Sequence, residues 1–358
     1  MAHSDVYSDK PGAKAWHFMH GFPMLILYTL IVLILALAFG YSALKARTIE
    51  GSNPNIGRLT DIGGYSINAV HLRRPADPDL PPLVFIHGAS GNLRDQMQAF
   101  SEPLKDRAEM LFVDRPGHGY SDRGGPDNAL PSGQADAIAK LMDKLQISRA
   151  IIVGHSFGGA IAAAFAVRHP QKTAGLLFLA PATHPWPGGV DWYYSLAATP
   201  VIGWIFAYAL VIPAGLRRLE QGTIGVFSPN PRPNDYVEKT APALVLRPRV
   251  FRNNAEDVAN LLDYVKRESP RYQEISAPTV IITGDRDDVV LAELHSIGLE
   301  RDIKGAELIT IKNLGHKPDY IATDVAIAAI ERLAGLARDL QQVARQAETR
   351  IAGEMPAI

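Results

Sequence analysis

A chain of 358 residues with 36 Lys and Arg against 37 Asp and Glu has a net charge of −1. That length fits one large domain or two small ones, and the charge shows no basic excess of the kind that binds nucleic acid. The absence of cysteine removes disulfides, a thiol nucleophile and thiolate metal sites.

Residues 1–21 read as a polar N-terminal tail. Phe22 to Phe39 is an 18-residue run without a charge, close to the length of about 20 that crosses a bilayer core. A buried core helix would carry a polar stripe, and this run has none. Ala36-Leu37-Ala38 fits an A-x-A cleavage pattern, but the apolar run and its leader are both long for a signal peptide. The expectation is an uncleaved transmembrane helix over 22–40, anchoring the protein in a membrane. Lys10 and Lys14 lie on one side, Lys45 and Arg47 on the other, so the positive-inside rule favours neither orientation. Residues 41–56 read as a linker.

A core is expected over 57–182. Arg58 to Leu72 reads as two short strands around Gly63-Gly64. Leu83–Ile86 and Met110–Val113 are fully apolar runs of the kind buried in a parallel sheet. Helices are expected from about Arg94 to Lys105 and from a Ser132 cap to about Leu145. Ile151–Val153 then runs into Gly154-His155-Ser156-Phe157-Gly158-Gly159 and an Ala-rich helix. Gly175–Leu179 is the sixth strand. Over 183–271 the strand rhythm stops and aromatics gather, which predicts a separate cap. Within it, Val201–Ile212 is too short to span a bilayer. Packing onto the core is the first reading of that segment, and membrane contact the second. The core resumes over 272–350 with strands at Thr279–Ile282 and Glu307–Ile311, a helix to about Ile303, and one long amphipathic helix to about Thr349. Strands alternating with helices predict a mostly parallel, doubly wound α/β sheet. Ligands of such sheets sit at the carboxyl ends of the strands, where every distinctive motif falls.

Gly154-x-Ser156-x-Gly158, between strand and helix, is the nucleophile-elbow pattern. A P-loop would need Lys-Ser/Thr after its last glycine, and the dinucleotide fingerprint would need Gly-x-Gly; neither is present. A serine hydroxyl needs a base, and the base needs a carboxylate to hold its tautomer. His316, after the last strand, is the candidate base. His87, His118 and His155 sit inside turn motifs and read as structural. Among Asp285, Asp287 and Asp288, Asp287 is chosen as the acid. The Phe157 N–H and the Ala89 N–H are the candidate oxyanion donors. Asp114 and Arg115 read as braces for the loop near the site. In the cap, His184, Trp186, Trp192 and Tyr193 are candidate substrate contacts.

H-G-A-S-G-N, D-R-P-G-H-G-Y-S, G-H-S-F-G-G, G-D-R-D-D-V-V and N-L-G-H together resemble the α/β-hydrolase fold family, in order and spacing, over about residues 57–350. The resemblance implies a Ser156–Asp287–His316 triad, an oxyanion hole from Ala89 and Phe157, a cap over the site, and no metal or cofactor. Leu291 stands where many relatives carry proline. Serine at the elbow argues against the branches that use aspartate there.

The leading expectation is a membrane-anchored serine hydrolase acting on a small apolar ester or related acyl substrate. The same triad could transfer the acyl group to an alcohol, or cleave a carbon–carbon bond beside a carbonyl. A catalytically silent binding protein is the third reading, and the intact Ser156, Asp287 and His316 argue against it.

Overall fold

The computed structural model describes residues 13–354, with side-chain surroundings from Pro23 onward. Most of the expected tail over 1–21 therefore lies outside the described residues. Its last part, from Ala13, is already helical: α1 runs Ala13–Ser52 without a break. The expected linker is thus largely helix. Tyr41–Ser52 is rich in good helix formers such as Ala, Leu, Lys and Arg, and its buried face packs against the cap through Ile49. The stretch Pro23–Ser52 is apolar and long enough to cross a membrane, and its apolar window is fully unburied.

Eight strands form one sheet in the order β1-β2-β4-β3-β5-β6-β7-β8. The first two are β1 (Arg58–Asp61) and β2 (Ser66–Leu72). They pair antiparallel, and β2 runs antiparallel to β4 (Met110–Val113). The strands β3 (Leu83–Ile86), β5 (Ala150–His155), β6 (Thr173–Leu179), β7 (Thr279–Gly284) and β8 (Glu307–Ile311) pair parallel. Every residue of β3, β4, β5 and β7 is buried. Continuous apolar strands of this kind need a helical layer on each face. On one face lie α2 (Leu93–Leu104), with α12 (Thr323–Leu333) and α13 (Leu340–Glu354). On the other lie α3 (Pro131–Lys144) and α4 (Phe157–Arg168). The strand order reverses between β3 and β5, which opens a crevice at their carboxyl ends.

Between β6 and β7 the chain forms helices only: α5 (Trp192–Ala198), α6 (Val201–Phe206), α7 (Ile212–Phe227), α8 (Tyr236–Thr240) and α9 (Pro248–Glu268), with a π turn at Ala207–Val211 joining α6 to α7. After β7 come α10 (Ser296–Asp302) and, after β8, the single turn α11 (Pro318–Ile321).

Two helix expectations need correction. Ser132 does not cap α3: the helix starts at Pro131, and Leu130 is its N-cap. Proline there has no N–H to leave unsatisfied. The single C-terminal helix is also interrupted. Gly335, at φ 91°, ends α12 in the left-handed conformation that glycine adopts freely. The chain then folds back so that α13 packs beside α12 against the sheet.

Candidate active site

The turn after β5 places Ser156 at φ 53° and ψ −120°. Such a backbone costs of order 1–3 kcal/mol and persists only where its surroundings hold it. Its carbonyl accepts from the N–H groups of Gly159 and Ala182 at 2.9 and 3.0 Å, and its own N–H donates to Leu179 at 3.0 Å. The flanking glycines are steric necessities: a Cβ on Gly154 would run into the Gly158 carbonyl, and one on Gly158 into the Ile86 carbonyl. No side chain caps the start of α4, so the Phe157 N–H stays at the open end of a helix dipole.

The loop after β3 closes over this turn. A Cβ on Gly88 would lie 3.0 Å from Ser156 Cβ. Ala89, the next residue, is only half-buried. Its neighbour Ser90 sits at φ 58°. The Ser90 N–H donates to Asn254 Oδ1 at 2.7 Å, and Asn254 Nδ2 donates to Ser90 Oγ at 3.1 Å. Asn254, on α9, is fully buried. Tyr194, on α5, brings its hydroxyl to 3.3 Å from Ser90 Oγ. Two cap helices thus grip the loop that holds Ala89.

Across the crevice, His316 Nδ1 lies 2.8 Å from Asp287 Oδ2. The other oxygen of Asp287 accepts from the N–H groups of Val289 and Val290, each at 2.9 Å. Burial pushes this carboxyl up, but His316 and the two amides outweigh it and hold the pKa below the usual carboxylate value. An ionised Asp287 requires the Nδ1–H tautomer of His316, which leaves Nε2 as a free base. Asp285 instead turns to the Asn313 N–H, and Asp288 is exposed. The His316 loop is pinned from the cap: Asn230 Oδ1 accepts from the Gly315 N–H, and Asn230 Nδ2 donates to the Asn313 carbonyl, both at 2.8 Å.

A buried polar layer supports the floor. His155 Nε2 bonds the His316 carbonyl at 2.9 Å. His87 Nε2 accepts from the Arg115 N–H at 3.1 Å, and burial pushes its pKa down to about 3, so the ring is neutral. Asp114 collects Asn68 Nδ2 and the N–H groups of Leu93 and Tyr120. The Arg115 guanidinium is buried, lies 4.5 Å from the centre of the Phe157 ring, and pairs with buried Asp257 at 2.9 Å. Burial lowers its pKa to about 10, against the pull of Asp257, so it stays charged at neutral pH. His118 is held between Arg115 and Asn254.

The cap candidates divide. His184 is buried, with Nδ1 on Thr183 Oγ1 and Nε2 on Asp302, each at 3.0 Å. Both ring nitrogens are thus engaged within the fold. Trp186 packs against the core, with its N–H on the Gly189 carbonyl. Trp192 is 69% exposed. Tyr193 bonds Asp191 and packs its ring at a tilt against Tyr194. Tyr194, Asn230 and Asn254 are cap residues that bond the Ser90 and His316 loops. In the sequence Tyr194 is one of several aromatics, Asn230 a polar residue between prolines and Asn254 a polar residue on a helix, patterns too common to single them out.

This arrangement can be tested at Asp287. Asp287→Asn keeps the shape but favours the wrong imidazole tautomer, and in triads that costs on the order of 10⁴ in kcat. Ester turnover by the purified variant is the check, and a loss of less than tenfold would remove Asp287 from the role.

A family model for the alpha/beta hydrolase fold matches residues 81–318. The chain belongs to the alpha/beta hydrolase fold family. Its relatives include the 2-hydroxy-6-oxo-6-phenylhexa-2,4-dienoate hydrolase of Comamonas testosteroni, 30% identical over 222 residues, which are 60% of this chain and 73% of the relative. Lipase 3 of Moraxella sp. strain TA144 is 25% identical over 66% of this chain and 72% of its own. Among solved structures, a bacterial membrane phospholipase A superposes with a TM-score of 0.57 at 21% identity, over 90% of this chain and 99% of its own. At that identity the likeness shows the fold alone.

Proposed function

We propose that this protein is a membrane-anchored serine hydrolase that cleaves ester or related acyl bonds of apolar substrates. The observation that carries this reading is the 2.8 Å contact of His316 with Asp287, on the rim that also holds the strained Ser156. Ser156 Oγ attacks the acyl carbon and gives its proton to His316 Nε2. The N–H groups of Ala89 and Phe157 receive the oxyanion. The bond to the alcohol breaks, and His316 returns the proton to the departing oxygen. Water then attacks the acyl-enzyme by the same route and releases the acid. Fluorophosphonate labelling and ester turnover of the full chain test this chemistry.

The membrane part rests on two apolar surfaces that join. Phe39 of α1 stacks on Tyr208 of the cap, with ring centres 5.4 Å apart. Ile49 packs with Ala207, Val211 and Ile212, and Glu50 pairs with Arg247 at 2.9 Å. From that joint α6 projects Val201 and Ile202, 72% and 62% exposed, with Trp204 and Ile205 also exposed. Water is a poor solvent for such a face, and the bilayer holding α1 would cover it. This favours the membrane-contact reading of Val201–Ile212, although the buried Ala207 and Val211 show that part of the segment packs inward.

Ile202→Asp with Ile205→Asp is expected to lower hydrolysis of an ester held in phosphatidylcholine vesicles about tenfold. That matches the loss of roughly 1.5 kcal/mol or more of apolar burial. Turnover of a dissolved p-nitrophenyl ester should stay within about twofold. Equal losses on both substrates would sink the bilayer contact.

Carbon–carbon bond hydrolysis by the same triad is the second reading. It is favoured by the Comamonas relative, whose name denotes a dienoate hydrolase. Product analysis separates the two readings.

A further inference from the structure

Lys317 directly follows His316, and its side chain is almost fully buried. Its ammonium donates to Asp95 Oδ2 at 2.9 Å, Asp95 Oδ1 at 3.2 Å and Asp319 Oδ2 at 3.0 Å. Three aromatic rings surround it: Tyr320, Phe227 and Tyr236, with centres 4.9, 5.8 and 5.9 Å away. The cage is itself tied down. Tyr236 donates to Asp95 Oδ1 at 3.0 Å, and Tyr320 donates to the Asp95 carbonyl at 2.7 Å. Ligand atoms of Asp95, His155 and Asp319 lie within 4.8 Å of one another, a donor set that resembles a metal site. The ammonium bonds two members of that set and supplies the cation itself. Burial opposes the charge, but the two carboxylates outweigh it and keep Lys317 protonated.

A methionine would fill much of this space without the several kcal/mol that burying each ion costs. The charge therefore needs a reason, and the connections supply one. Asp95 stands in the first turn of α2, the helix that begins directly after the loop carrying Ala89. Lys317 is covalently joined to His316. His155, just before Ser156, bonds the His316 carbonyl from the same side. We propose that Lys317 is a positioning residue, whose ammonium fixes the His316 loop against the helix of the oxyanion loop. An ammonium offers three donors on one atom, and here they bind carboxylates from two different segments. That sets a direction as well as a distance.

The proposal rests on the triad reading for its effect on turnover. The brace itself is a matter of geometry and can be read without turnover. Lys317→Met leaves two buried carboxylates facing each other and can fail to fold. Lys317→Met with Asp95→Asn removes one of them and keeps the volume. In the full-length protein, the double variant is expected to unfold cooperatively. Its kcat on a dissolved ester should fall at least thirtyfold, with KM within twofold. A second readout follows the downfield proton resonance of His316 Nδ1–H bonded to Asp287. It should be sharp in the wild type and in Ser156→Ala, and broadened or lost in the double variant. A folded double variant with wild-type kcat, or with an unchanged resonance, would overturn the brace. If the wild type itself fails to turn over esters, the triad reading falls, and the resonance still decides the role of Lys317.

Discussion

Ser156→Ala is expected to lower kcat on a short p-nitrophenyl ester by on the order of 10⁶ and to abolish fluorophosphonate labelling. The size follows from the arrangement. In the proposed triad the base and its carboxylate would act only through the hydroxyl of Ser156, so removing that nucleophile would idle His316 and Asp287 together. What would remain is the polarising effect of the proposed oxyanion donors, the Ala89 and Phe157 amides, and in such sites that still gives roughly 10³–10⁴ over water. The substitution should leave the fold alone. The backbone at φ 53° is held by hydrogen bonds from Gly159 and Ala182, and these do not involve the hydroxyl. Side-by-side ester assays and gel labelling of wild type and variant, each checked by thermal unfolding, give the answer. Labelling that survives in the variant would mean another nucleophile, and the triad would have to be abandoned.

The largest stability effect is expected at Asp257. Asp257→Ala should lower stability by about 3–5 kcal/mol. Asp257 is fully buried and binds Arg115 at 2.9 Å, Arg123 at 2.6 Å and Gln134 at 2.8 Å. Its removal strands the Arg115 guanidinium, which is 0% exposed. A stranded buried cation costs far more than a lost surface pair, for which the median is about 0–1 kcal/mol. Glu256→Ala supplies that comparison, since Glu256 only meets Arg123 and Arg252 at 3.4 Å from a partly exposed position. A denaturant midpoint for Asp257→Ala no lower than that for Glu256→Ala would contradict the account. Activity should fall as well, because Arg115 lies on the Phe157 ring and donates to the Gly88 carbonyl.

The legible parts of this molecule are those written in consecutive residues. Leu83–Ile86, Met110–Val113 and Glu307–Ile311 are strands over those same spans; for the first two, a short apolar run between turns has few other uses. The Gly154–Gly159 turn was equally plain, since a Cβ at either flanking glycine would strike backbone. Choosing Asp287 among three aspartates relied on spacing, and the structure does bring it to His316. What could not be read was pairing at long range. Asn254 meets Ser90 from 164 positions away, and Lys317 meets Asp95 from 222. Nothing local in either partner announces the other. The cap candidates are a related case: aromatic content says that a surface will be buried somewhere, but not which ring faces which wall. The C-terminal break at Gly335 was hidden by good helix formers on both sides.

The unbroken α1 has a consequence for encounter. Its twelve residues from Tyr41 to Ser52 are helical, a span of about 18 Å at 1.5 Å per residue, and they are fastened to the cap by Ile49 and by the Glu50–Arg247 pair. If α1 is the anchor proposed above, the described residues place no flexible leash between it and the cap. On the proposed anchoring, the crevice would be held at one height and one tilt above the lipid, and the search for substrate would become two-dimensional. Turnover of a membrane-held substrate would then follow its mole fraction in the surface and ignore dilution of the vesicles.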